Sequence, residues 1–117
     1  MARVLLVEDE PNIASIIIFK LQREAHEVRW EPTAGAVLDA ADAMQPDLIL
    51  LDSSLPDGDA FELLGALAPK RPVVMMTEFR DTRTPDRARQ AGAEVAARGA
   101  SADDDDLHFR SPSAAAT

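Results

Sequence analysis

Four short apolar runs recur along the chain: Val4-Leu5-Leu6-Val7, Leu48-Ile49-Leu50-Leu51, Val73-Val74-Met75-Met76 and the weaker Val95-Ala96-Ala97. Each is bounded by polar or turn residues and none alternates, so none can turn a face to water. Runs of this kind read as parallel strands covered on both sides. A further segment, Glu27-Val28-Arg29-Trp30-Glu31, does alternate and suits an edge strand, with Trp30 packing at the sheet edge. Between the strands lie helix-length segments. Pro11 suits a first helical turn, and Ile13, Ile16, Ile17 and Leu21 form an apolar stripe to about residue 24, widened by Ile18 and Phe19. Thr33 is placed to cap a second helix running to about residue 43, closed by Pro46. Asp59 is placed to cap a third, carrying Phe61, Leu63, Leu64 and Leu67 before Pro69, and a fourth from about residue 84 stops at Gly92. A strand-helix unit repeated five times implies an open, doubly wound parallel α/β sheet with helices on both faces and right-handed crossovers.

At 117 residues the chain has room for one compact domain, and its 46% hydrophobic content supplies an aliphatic core. The net charge of -9 comes without any segregated basic cluster, which argues against direct nucleic-acid binding. There is no cysteine, no leader pattern, and no apolar stretch approaching the ~18 residues of a membrane span, so the expectation is a soluble cytoplasmic protein without membrane contact. The rhythm breaks near the C-terminus. Asp103 to Asp106 are followed by only Leu107 and Phe109 as large apolar residues, so residues 1–102 read as the domain and 103–117 as an acidic, disordered tail. No fifth amphipathic helix is legible there. Its absence would uncover part of one sheet face and one side of the first helix, a patch that points to a partner or a homodimer.

Polar residues end three of the strands: Glu8-Asp9 after the first, Asp52 after the third, Thr77 after the fourth. In open α/β sheets ligands bind beyond the carboxyl ends of the strands, where strand order reverses, so these side chains should converge. Three carboxylates in one pocket repel one another unless a proton or a cation intervenes. All-oxygen ligands favour a hard ion such as magnesium, which combines one or two carboxylates with waters and a phosphate oxygen. His26 and His108 have no metal-ligand spacing and read as surface residues. Asp57-Gly58 reads as turn chemistry.

Taken together, Val4-Leu5-Leu6-Val7-Glu8-Asp9-Glu10-Pro11, Leu50-Leu51-Asp52-Ser53-Ser54-Leu55-Pro56-Asp57-Gly58-Asp59, Met75-Met76-Thr77 and Gln90-Ala91-Gly92-Ala93 resemble the receiver domain of two-component response regulators, over about residues 2 to 95. The resemblance implies a flavodoxin-like fold with strand order 2-1-3-4-5. It also implies that Asp52 takes a phosphoryl group from a phosphohistidine on a sensor histidine kinase or phosphotransfer protein. Glu8, Asp9 and Asp52 would hold Mg2+ with the main-chain carbonyl of Ser54, and Thr77 would be the switch hydroxyl.

Several positions depart from the family pattern. The family's lysine after the fifth strand falls on Gly99 and its following proline on Ala100, the aromatic switch partner falls on Ala96, and Glu78 replaces a small residue. Arg98 is one position from the lysine's place, and strand alternation would turn it to the other face. Ala60 stands for a glycine. These losses weaken the reading of phosphate while the acceptor and metal ligands stay in place. The expected function is therefore a stand-alone receiver, not an enzyme beyond its own phosphotransfer and dephosphorylation. The alternative is a degenerate, phosphorylation-independent interaction or dimerisation module. An aspartyl-phosphate phosphatase would need a second acid where Ser54 stands, and flavin binding would need a phosphate cradle in place of the acidic loop after the first strand.

Overall fold

The computed structural model describes residues 1–78 and 84–98. The chain runs β1 (Arg3–Val7), α1 (Pro11–Arg23), β2 (Glu27–Glu31), a 3-10 turn (Ala34–Ala36), α2 (Val37–Met44), β3 (Leu48–Asp52), α3 (Ala60–Leu67), β4 (Val73–Glu78), α4 (Thr84–Gln90) and β5 (Glu94–Arg98). All strand pairs are parallel, in the order β2-β1-β3-β4-β5. This is the open parallel sheet expected from the apolar runs, in the flavodoxin-like strand order that the resemblance implied. The segment expected to hold or lack a fifth helix, and the tail at 103–117, lie outside the described residues.

Two cores sandwich the sheet. Leu5, Val7, Ile49, Leu51, Val73 and Met75 point to the side of α2, α3 and α4, where Val37, Ala41, Leu64, Leu67 and Ala88 meet them. Val4, Leu6, Leu48, Leu50, Val74, Met76 and Ala96 point to the other side, against Ala14, Ile17 and Leu21 of α1. Successive strand residues thus alternate between two dry faces, which is why the sequence shows unbroken apolar runs. On that side of the sheet Val74, Met76 and Ala96 are buried. On α1 itself Phe19 is exposed, at 61%.

The helix starts differ in how they are capped. Glu10 accepts from the Asn12 amide at the start of α1, and Asp59 accepts from Phe61 and Glu62 at the start of α3. Thr33, by contrast, makes no side-chain capping bond. The amides of Ala34 and Gly35 donate instead to Asp57, at 2.8 and 3.3 Å, so the cap for this end comes from the loop after β3. The two loops are packed tightly enough that a Cβ on Gly58 would lie 2.6 Å from the Cβ of Ala34. His26 is half-buried rather than simply a surface residue: its Nδ1 accepts from the Ala2 amide at 2.9 Å. Gly92, at φ +98, ends the α4 segment as expected.

Two glycine substitutions should move stability in opposite directions. Gly58→Ala forces the two loops apart and is expected to cost about 1–3 kcal/mol in urea unfolding. Gly65→Ala, in α3 with nothing within 4 Å of the added Cβ, is expected to stabilise by about 0.5–1 kcal/mol.

Candidate phosphoacceptor and metal site

β1 and β3 are neighbours, and the chain leaves them in opposite directions across the sheet, β1 toward β2 and β3 toward β4. The crevice beyond their carboxyl ends is therefore the point where strand order reverses. With Val7 opposite Leu51, Glu8 and Asp52 emerge side by side. Both are fully buried and Asp9 is half-buried. Carboxylate oxygens of Glu8, Asp9 and Asp52 lie within 4.8 Å of one another.

Each acid is held by local backbone. Glu8 donates its amide to the Glu31 carbonyl at 3.3 Å, extending the β1-β2 ladder by one residue. Its Oε2 accepts from the Glu10 amide at 3.1 Å. Asp52 Oδ1 accepts from both the amide and the hydroxyl of Ser54, at 3.0 and 3.1 Å, which restrains rotation of the carboxylate. The Ser53 amide bonds the Met76 carbonyl at 3.0 Å and keeps the loop after β3 attached to β4. Thr77 follows Met76, the residue paired with Asp52, and is buried at the carboxyl end of β4 next to the acidic crevice. Ala96 pairs with Met76 and is buried in the α1-side core.

Two features lay beyond the sequence reading. The Ser54 hydroxyl on Asp52 could have been found from the short-range turn pattern, because an aspartate readily accepts from the residue two places on. The Trp30 indole donates to the Glu8 carbonyl at 2.7 Å, and only the strand register could have revealed it. Gly99 and Ala100, where the family has its lysine and proline, lie outside the described residues, as do the side chains of Glu78 and Arg98.

Residues 4–96 match the family described as the response regulator receiver domain. The chain belongs to this family. Among curated relatives, the transcriptional regulatory protein CreB of Escherichia coli is 39% identical over 97 residues, covering 80% of this chain and 41% of CreB. PdtaR of Mycobacterium tuberculosis, also a transcriptional regulatory protein, is 34% identical over 94 residues, covering 78% of this chain and 46% of PdtaR. The chain thus spans less than half the length of either. The BeF3-activated receiver domain of Klebsiella pneumoniae RstA superposes with a TM-score of 0.73 at 26% identity, covering 80% of this receiver and 81% of that chain. Receivers of two-component systems bind Mg2+ at an acidic site, and the donor set here fits that ion: three carboxylates, all hard oxygen ligands, gathered in one crevice. No helix among the described residues is long and apolar enough to cross a membrane.

At separations of this order two unit charges repel by roughly 3–4 kcal/mol at an effective dielectric near 20. Asp52→Asn relieves that repulsion while leaving a carbonyl oxygen for Ser54. In chelator-treated protein it is expected to raise unfolding stability by about 1–3 kcal/mol. Adding millimolar magnesium should stabilise wild type and leave the variant unmoved, as read by urea unfolding.

Proposed function

We propose that this receiver accepts a phosphoryl group on Asp52 from a phosphohistidine of a sensor histidine kinase or phosphotransfer protein, and signals through protein–protein contacts. The observation that carries the reading is the position of Asp52: buried at the end of a central strand, oriented by Ser54, with Glu8 and Asp9 beside it. In the transfer, a carboxylate oxygen of Asp52 forms the new P–O bond as the P–N bond of the phosphohistidine breaks, and the electron pair stays on the imidazole. A carboxylate attacking a phosphoryl group meets negative charge with negative charge, and bound magnesium supplies the offsetting positive charge. Glu8, Asp9 and Asp52, with the main-chain carbonyl of Ser54, would hold it. Thr77 is assigned the hydroxyl that bonds a phosphoryl oxygen after transfer, drawing the loop after β4 inward. The chain acts on its own aspartate and is not an enzyme for a separate substrate.

One observation favours a second reading. Ala96 stands, buried, where the resemblance expects the aromatic partner of the switch threonine, so the usual relay from Thr77 lacks its second member. A receiver without that relay could serve as a phosphorylation-independent interaction module.

Intact mass after incubation with a small-molecule phosphodonor separates the two. A single phosphoryl adduct that needs magnesium and disappears in Asp52→Ala is expected. Absence of any adduct at saturating donor and magnesium would leave the interaction module as the better account.

A further inference from the structure

Glu8 and Asp9 follow β1, and β2 grips the backbone of Glu8 at both its amide and its carbonyl. On one side, the Glu8 amide donates to the Glu31 carbonyl. On the other, the Glu8 carbonyl accepts from the Trp30 indole at 2.7 Å. Here a side chain from the edge strand supplies the donor and sets the plane of the peptide from which Asp9 departs. Because the Asp9 Cα is bonded to that peptide, the direction of its side chain toward Asp52 follows from the same contact.

From this geometry we propose that Trp30 is a positioning residue for the metal site, holding the Glu8–Asp9 peptide so that both carboxylates face Asp52 before the cation arrives. Ligands held in place beforehand bind more tightly, because less freedom is lost on binding. Trp30 as a residue is 37% exposed, so its edge-strand packing buries only part of it. Its directed hydrogen bond, not its bulk, is the feature that a phenylalanine could not replace. The inference rests on the magnesium-dependent reading above and adds to it a residue outside the acidic set.

The test compares wild type, Trp30→Phe and Val28→Ala by titration calorimetry with magnesium alone, and records the indole N–H signal of the wild-type protein, whose one tryptophan gives one such signal. Val28 is on the same strand and packs against the α1-side core, so its truncation loosens β2 without touching Glu8. Trp30→Phe is expected to weaken magnesium binding about three- to ten-fold, the loss that one net hydrogen bond produces. Val28→Ala should leave the affinity within two-fold on the same order-of-magnitude scale, at about the same or greater loss of folding stability. The wild-type indole proton should exchange slowly and shift on adding magnesium. Equal affinities for wild type and Trp30→Phe would overturn the positioning role while leaving Asp52 as acceptor untouched. An equal loss in Val28→Ala would overturn it as well, reducing Trp30 to general support of the strand. A rapidly exchanging indole proton that ignores magnesium would overturn the contact itself. Wild-type protein that takes up no magnesium would overturn the metal-dependent reading, and the positioning role with it.

Discussion

β1 and β3 lie side by side and parallel at the middle of the sheet, with Val7 opposite Leu51, so that the residues following each strand emerge into the same crevice. That register decides the chemistry of the molecule. A slip of one residue would turn Asp52 toward the opposite face and exchange the apolar residues of the two cores. The cores hold the register because both sides of these strands are dry: Leu5, Val7, Ile49 and Leu51 pack on one side, Val4, Leu6, Leu48 and Leu50 on the other. Hydrophobic packing thus supplies the force that keeps three mutually repelling carboxylates together. A protein of this size has only about 5–15 kcal/mol of net stability, so such a cluster is a substantial charge on the fold unless a cation accompanies it.

Loops around the crevice are tied to one another rather than left to find their own conformations. Asp57 reaches from the segment after β3 to the amides of Ala34 and Gly35, and Gly58 allows that approach. Ser54 fixes Asp52, and the Ser53 amide stays bonded to β4. Movement after phosphorylation would therefore begin from a site whose acceptor side is already constrained. Beyond β4 the packing is lighter, since Ala96 pairs with Met76 and puts only a methyl group into the α1-side core. In the proposed function, acceptance of a phosphoryl group and transmission of its effect are separable: Glu8, Asp9 and Asp52 would serve the first, and Ala96 would leave the second without an aromatic partner.

Elements built from periodic burial were legible in the sequence. Strands covered on both faces write themselves as unbroken apolar runs, and of the α1 stripe read at Ile13, Ile16, Ile17 and Leu21 the structure buries Ile17 and Leu21, half-buries Ile13 and Ile16, and adds Ala14. Asp59 was legible as a cap because its partners, Phe61 and Glu62, are two and three residues away. Thr33 misled for the complementary reason. Local capping rules weigh only near neighbours, whereas the donors at Ala34 and Gly35 found an acceptor 23 and 22 residues along the chain. The convergence of Glu8, Asp9 and Asp52 followed from topology alone, since strand-end residues on adjacent parallel strands must meet. Trp30 was invisible as a site component because its role depends on which residue of β2 falls beside the end of β1.

The most direct test of the account is chemical mapping of the phosphorylated residue. Borohydride reduces an acyl phosphate, and an aspartyl phosphate becomes homoserine, which peptide sequencing by mass spectrometry places to the residue. After magnesium-dependent phosphorylation the account predicts homoserine at position 52 and at no other acidic residue. Homoserine at position 9 or 57, or none despite a phosphoryl adduct, would contradict it and move the chemistry away from the carboxyl end of β3.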